Sequence, residues 1–144
     1  MPAPAPPGAP LTGACPCGAV RFEVRAPFDT AGYCHCHRCQ RRTGAGASAN
    51  GRVTADALVV VGGAEHITTW RPEGGQPKAF CAACGGHLYS GPTAHGTVGV
   101  RLGAIDGDPG VRPSWRQWVS SAAGWEPLPD DGLPRFPERR PHQL

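Results

Sequence analysis

The chain has 144 residues, a length that suits one domain, with Gly and Pro filling about a quarter of it and apolar residues 40%. That composition excludes long helices and a thick hydrophobic core, and it leaves seven cysteines as the natural source of added stability. A net charge of +3 excludes a strong nucleic-acid footprint, and no apolar run approaches the roughly 20 residues of a membrane helix.

Residues 1–11 are rich in Pro and Ala and carry neither the charge nor the apolar run of a signal peptide. They are expected to form a disordered tail, with the chain in the cytoplasm, where thiols stay reduced. From Ala19 to Arg25, Val20, Phe22 and Val24 alternate with Arg21, Glu23 and Arg25, the period of a half-buried strand. Further short strands are expected at Ala47–Val53, Leu58–Val61, His66–Trp70, Lys78–Cys81, Leu88–Ser90, Thr97–Leu102 and Trp115–Val119. In Thr97–Leu102, Val98, Val100 and Leu102 share one face. Only Arg38–Thr43 has helical character. Gly and Pro punctuate the rest, so the expected fold is all-β: mostly antiparallel short-strand sheets with zinc knuckles and few or no helices. A zinc-binding β domain is expected over 12–137 and a flexible C-terminal tail over 138–144.

The seven cysteines fall into three clusters: Cys15-Pro-Cys17, Cys34-His-Cys36-His-Arg-Cys39, and Cys81-Ala-Ala-Cys84 followed by two glycines. Thiolates two or three residues apart reach one metal from a single turn, and zinc takes four such ligands in a structural site. Seven ligands fill one closed four-thiolate site and one open three-thiolate site. Cys15, Cys17, Cys81 and Cys84 suit the closed site, because they staple the start of the domain to its middle. Cys34, Cys36 and Cys39 leave a fourth position for water or substrate, as catalytic zinc does. Disulfides would strand one cysteine, a thioredoxin-type CxxC lacks its βαβ context, and the spacing does not match ferredoxin runs. A second wholly structural site remains open if His35, His37, His87 or His95 supplies a fourth ligand.

These clusters, with Thr43-Gly44-Ala45 and Phe80-Cys81-Ala-Ala-Cys84-Gly85-Gly-His-Leu88, resemble the glutathione-dependent formaldehyde-activating enzyme family, which includes centromere protein V. The resemblance runs from Gly13 to about Pro137. It implies a β-structure bearing two Zn2+ per chain, structural at Cys15, Cys17, Cys81 and Cys84 and catalytic in type at Cys34, Cys36 and Cys39. It also implies a carbon–sulfur lyase that forms or cleaves S-hydroxymethyl adducts from a small thiol such as glutathione and an aldehyde such as formaldehyde. Gln40 departs from the family, which more typically places a basic residue directly after this cysteine.

The expected chemistry follows from the open site. Metal coordination lowers a thiol's pKa, and the thiolate attacks the aldehyde carbonyl to give a hemithioacetal. His35 or His37 is a candidate proton shuttle near neutral pH. Arg38, Arg41 and Arg42 are either contacts for substrate carboxylates or a solvated basic turn. The four tryptophans are expected to pack in the core or at a rim. The alternative is a non-catalytic zinc module for a protein or nucleic-acid partner, supported only by the arginine run and the basic C-terminus.

Overall fold

Alternation of apolar and polar residues sets the strands. In the computed structural model, which describes residues 8–141, Val20, Phe22 and Val24 are buried while Arg21 and Arg25 face outward. The chain forms β1 (Leu11–Ala14), β2 (Arg21–Val24), β3 (Thr30–Cys34), α1 (His37–Thr43), β4 (Ser48–Thr54), β5 (Leu58–Gly62), β6 (Ile67–Trp70), β7 (Lys78–Cys81), β8 (His87–Ser90), β9 (Thr97–Arg101) and β10 (Arg116–Gln117). Short 3₁₀ turns join several of them. The fold is all-β apart from the single helix α1, which spans seven residues. No helix among the described residues is long and apolar enough to cross a membrane.

Two sheets result. One has three strands in the order β1-β2-β5, and the other has seven in the order β10-β3-β4-β9-β8-β7-β6. Neighbours are antiparallel except for the parallel pair β10 and β3. Val20, just before β2, and Phe22 and Val24 of the small sheet share one core with Val53, Leu88, Val98 and Val100 of the large one. On the opposite face of the large sheet, the residues between those apolar positions line up across the strands. Lys78 pairs with Ser90, Ser90 with Gly99, and Gly99 with Arg52, while Asn50 pairs with Arg101 and Cys34 with Ser48. The two-residue period therefore builds a dry core on one side and a polar row on the other.

The structure departs from the sequence expectations at both ends and at two strands. Leu11, the last residue of the expected tail, opens β1 and pairs with Val24; residues 1–7 lie outside the described residues. Neither β1 nor β3 is among the expected strands, because Gly13 and Gly32 interrupt their apolar pattern. Each glycine admits a large ring instead: a Cβ on Gly13 would lie 2.3 Å from Phe22, and one on Gly32 would lie 2.2 Å from Trp115. The expected strand Trp115–Val119 shrinks to β10, since Trp118 takes the left-handed conformation at φ 56 and starts a 3₁₀ turn. Within the expected C-terminal tail, Glu138 accepts from the Trp118 amide, and the Arg140 amide donates to Gln117; residues 142–144 lie outside the described residues. Proline-rich chain cannot donate a regular ladder, but its carbonyls can accept, and they do so at Pro134 from Arg116 of β10 and at Pro137 from Ser120 of the turn that follows.

Candidate metal centres and the adjoining cleft

Two tight turns of the same design build the first cluster. The Cys15 amide donates to Val20 and the Gly18 amide donates back to Cys15; the Cys81 amide donates to Gly86 and the Gly85 amide donates back to Cys81. Gly18 and Gly85 both sit at φ 78, a left-handed conformation that a side chain would strain. The turns bring the sulfurs of Cys15, Cys17, Cys81 and Cys84 within 4.8 Å of one another. Cys15 and Cys17 are 3.6 Å apart, and Cys17 and Cys81 are 3.9 Å apart. Four thiolates around a tetrahedral ion at about 2.3 Å require roughly 3.8 Å between sulfurs, so the donor set fits a zinc-sized, thiophilic cation. Cys15 and Cys81 are buried and Cys17 and Cys84 are exposed. The Val20 amide donates to the Cys15 sulfur at 3.3 Å, the bond that lets a thiolate persist beside its neighbours.

The second cluster forms where β3 runs into α1. Cys34 ends β3, Cys36 caps α1 by accepting from the Cys39 amide at 3.3 Å, and Cys39 lies in the first turn. Their sulfurs also lie within 4.8 Å of one another. Contact with Cys36 and Cys39, reinforced by burial, pushes the Cys34 thiol far up, whereas contact with Cys34 and Cys39 holds Cys36 far down. Three sulfurs that compete for protons in this way can all ionise only around a cation. The donor set thus suits a metal held by three protein sulfurs. Among the described residues no fourth ligating side chain joins Cys34, Cys36 and Cys39. His87 stands apart from them, and burial followed by Arg42 and Arg101 lowers it to about 4, which keeps it neutral.

His35 and His37 do not meet the sulfurs in the expected way. His35 is buried, with Nδ1 3.1 Å from the Gly46 carbonyl oxygen and Nε2 3.1 Å from Arg116 Nη1. Arginine only donates, so Nε2 accepts and the proton resides on Nδ1, bonded to Gly46. Both ring nitrogens are engaged, and alternation along the chain turns the ring away from its cysteine neighbours. It therefore has no nitrogen free to shuttle a proton to that cluster. Arg116 also donates to Asp131 at 2.7 Å and stacks over Tyr33 at 4.4 Å. His37 is exposed at the first position of α1.

Beside the second cluster the polar row of the large sheet floors a cleft of about 390 Å³. Cys34, Cys36 and Cys39 line one end. Arg38, Arg52, Lys78, Arg101, Arg139 and Arg140 line the rest, together with Trp115 and Trp118. Arg101 is buried; it donates to Asn50 Oδ1, and to Ser90 Oγ at 2.8 Å. Burial, with Arg42 adding to it, lowers its guanidinium to about 10, and the Cys39 and Cys34 thiols oppose that shift. Of the arginine run, Arg38 reaches the cleft, while Arg41 is exposed. The structure adds Asn50, Arg52, Lys78, Ser90 and Arg101, which sequence reasoning missed. Their signal is phase: Val98 and Val100 mark the core face of β9, so Arg101 falls on the other one, as Arg52 does beside Val53. Gln40, the departure from the family, donates to the His35 carbonyl at 2.7 Å and to that of Ser121 at 2.8 Å, tying α1 to β3 and to the turn after β10.

Comparison with known proteins places this geometry. A family model described as "Glutathione-dependent formaldehyde-activating enzyme" matches residues 10–121. A protein of Halomonas elongata named "Putative glutathione-dependent formaldehyde-activating enzyme" is 37% identical over 136 residues, which cover 90% of this chain and 71% of that protein. The crystal structure of a Rhodobacter sphaeroides protein is similar with a TM-score of 0.58 and 26% identity, covering 87% of this chain and 98% of that one.

Proposed function

This chain belongs to the glutathione-dependent formaldehyde-activating enzyme family, and from that premise we propose that it joins a small thiol to formaldehyde or a similar small aldehyde, or cleaves the same adduct, as a carbon–sulfur lyase. The observation that carries this reading is the position of the three-sulfur cluster at one end of a cationic cleft. Cys15, Cys17, Cys81 and Cys84 would hold a structural Zn2+, and Cys34, Cys36 and Cys39 a second one. When bound at the second cluster, zinc would supply the lowering of a thiol's pKa toward neutrality.

The rest of the work falls to the chain. Arg101 and Lys78 raise the positive potential over the cleft floor, which favours the thiolate over the thiol. Asn50 and Ser90 fix the Arg101 guanidinium, so that its charge needs no rearrangement as the reaction proceeds. In the forward sense the S–C bond forms as the carbonyl π bond breaks, and the proton released by the thiol ends on the former carbonyl oxygen. No oxidant or further reactant is required. Cleavage is the reverse.

The test is the exchange of formaldehyde with its thiol adduct, followed by NMR in metal-loaded protein and corrected for the spontaneous rate. The wild-type protein should accelerate exchange, and Cys34→Ser should return it to the spontaneous rate while metal content falls from two zinc per chain to one. Equal acceleration by the two proteins would refute the assignment.

A further inference from the structure

The cleft beside Cys34, Cys36 and Cys39 has an unbalanced charge. Its lining includes the six cations Arg38, Arg52, Lys78, Arg101, Arg139 and Arg140 and no Asp or Glu. Among the described residues, the ion pairs join Arg25 to Glu23, His66 to Glu65, Arg112 to Asp108 and Arg116 to Asp131, so none of the six is neutralised by a carboxylate. Arg101 is only 9% exposed, and its guanidinium nitrogens meet the neutral oxygens of Asn50, Gly99 and Ser90. The Nε atoms of Arg101 and Arg52 are buried without any hydrogen-bond partner. A buried cation with an unmatched N–H is costly by itself, and an arginine fork matches an oxyanion. Three sulfurs offset part of this excess but leave the rest of the lining uncompensated.

Part of that lining comes from the C-terminal segment. Arg139 and Arg140 reach the cleft because Glu138 and Arg140 are hydrogen-bonded to Trp118 and Gln117. Arg140 covers one face of Trp115 at 4.9 Å, and Gly32 packs directly against the same ring. The volume, about 390 Å³, lies at the low end for small-molecule sites.

We infer that this cleft selects small thiols whose far end is polyanionic and carries no ammonium, and that it disfavours zwitterionic glutathione. The inference rests on the thiol reading above. Glutathione brings two carboxylates but also an α-ammonium, and the lining offers that ammonium no carboxylate. Among six cations the ammonium is a like charge, which complementary interfaces avoid. A phosphate monoester or an amine-blocked dicarboxylate supplies oxyanions without that conflict. Arg139 and Arg140 are the specificity-determining pair, since they carry charge at the cleft's rim without touching the sulfurs.

The test separates selection from chemistry. Isothermal titration with two thiol-free probes, S-methylglutathione and its N-acetyl derivative, reads the cationic lining apart from thiol chemistry. The N-acetyl form should bind about tenfold or more tightly, and the preference should shrink in Arg139→Gln/Arg140→Gln and weaken in high salt. Equal binding, tighter binding of S-methylglutathione, or no binding of either overturns the inference. Exchange assays with glutathione, N-acetylglutathione, pantetheine and 4′-phosphopantetheine then identify the anion. 4′-Phosphopantetheine above pantetheine marks a phosphate site, and N-acetylglutathione above the other three marks a dicarboxylate site. If the probes bind in the expected order but no thiol is turned over faster than spontaneously, the lyase reading fails and the selectivity stands.

Discussion

Gly32 shows how one missing side chain shapes the cleft. It lies in β3 opposite Asn50, and a Cβ there would fall 2.2 Å from Trp115 Cδ2 and 2.4 Å from Cε2. The indole cannot retreat, because its Nε1 donates to Thr30 Oγ1 at 2.9 Å and Arg140 covers its ring. The cost of Gly32→Ala is therefore steric rather than conformational, and overpacking of this kind costs roughly 2 kcal/mol. Gly103→Ala is the control, since nothing lies within 4 Å of a Cβ there. Denaturant unfolding should show the loss for Gly32→Ala and little change for Gly103→Ala, and weaker anion binding should accompany the first. Equal stability of the two variants would mean that Trp115 is not held as described. At this same scale Arg101 matters through its position, since one residue earlier in β9 it would take the core position that Val100 fills.

At the scale of elements, the C-terminal segment is held by backbone hydrogen bonds between residues 134–138 and 116–120 and by one buried side chain. Arg116 of β10 reaches His35 Nε2 at 3.1 Å and Asp131 Oδ2 at 2.7 Å, while its backbone bonds Pro134 and Phe136. Arg116→Met should leave His35 and Asp131 without their shared donor and loosen the segment. Hydrogen exchange at the Phe136 and Trp118 amides should quicken. Arg116→Lys should not restore protection, because an ammonium cannot reproduce the planar fork that bonds two partners. Unchanged exchange in Arg116→Met would refute this role. None of this was legible in the sequence, where the segment reads only as proline-rich. Strands β2, β7 and β9 were legible because each buries alternate residues against a core. Strand β10 was legible only as part of the longer strand expected at Trp115–Val119, because two residues give no period to set its bounds. The cysteine clusters were legible because tight turns are local, whereas the cationic row was hidden by being spread over four strands. The surroundings of His35 were hidden for the opposite reason: its sequence neighbours are cysteines of the cluster, but its ring packs against Gly46 and Arg116.

Across the whole molecule, the two cysteine clusters have unequal structural weight. Cys15 follows β1 in the small sheet and Cys81 ends β7 in the large one, so the four-sulfur cluster fastens the two sheets together. Cys17 and Cys81 are 64 residues apart, and closing a loop of that length stabilises the fold by about 4 kcal/mol if a metal acts as a cross-link. The shared core is small, with Leu88, Val20, Val24, Val53 and Val100 as the principal fully buried apolar side chains. Few-kcal losses are therefore a large fraction of the total. The three-sulfur cluster spans only Cys34 to Cys39, closes a short loop and joins no second sheet. Chelation should then occur in two steps. The first metal to leave should come from Cys34, Cys36 and Cys39, with the far-ultraviolet circular dichroism retained, and the second from the four-sulfur cluster, with loss of the fold. Cys81→Ser should lower the melting temperature steeply or prevent folding, whereas Cys34→Ser should bind one metal and stay folded. A Cys81→Ser protein that melts with the wild type would show that the two sheets hold together without the four-sulfur cluster.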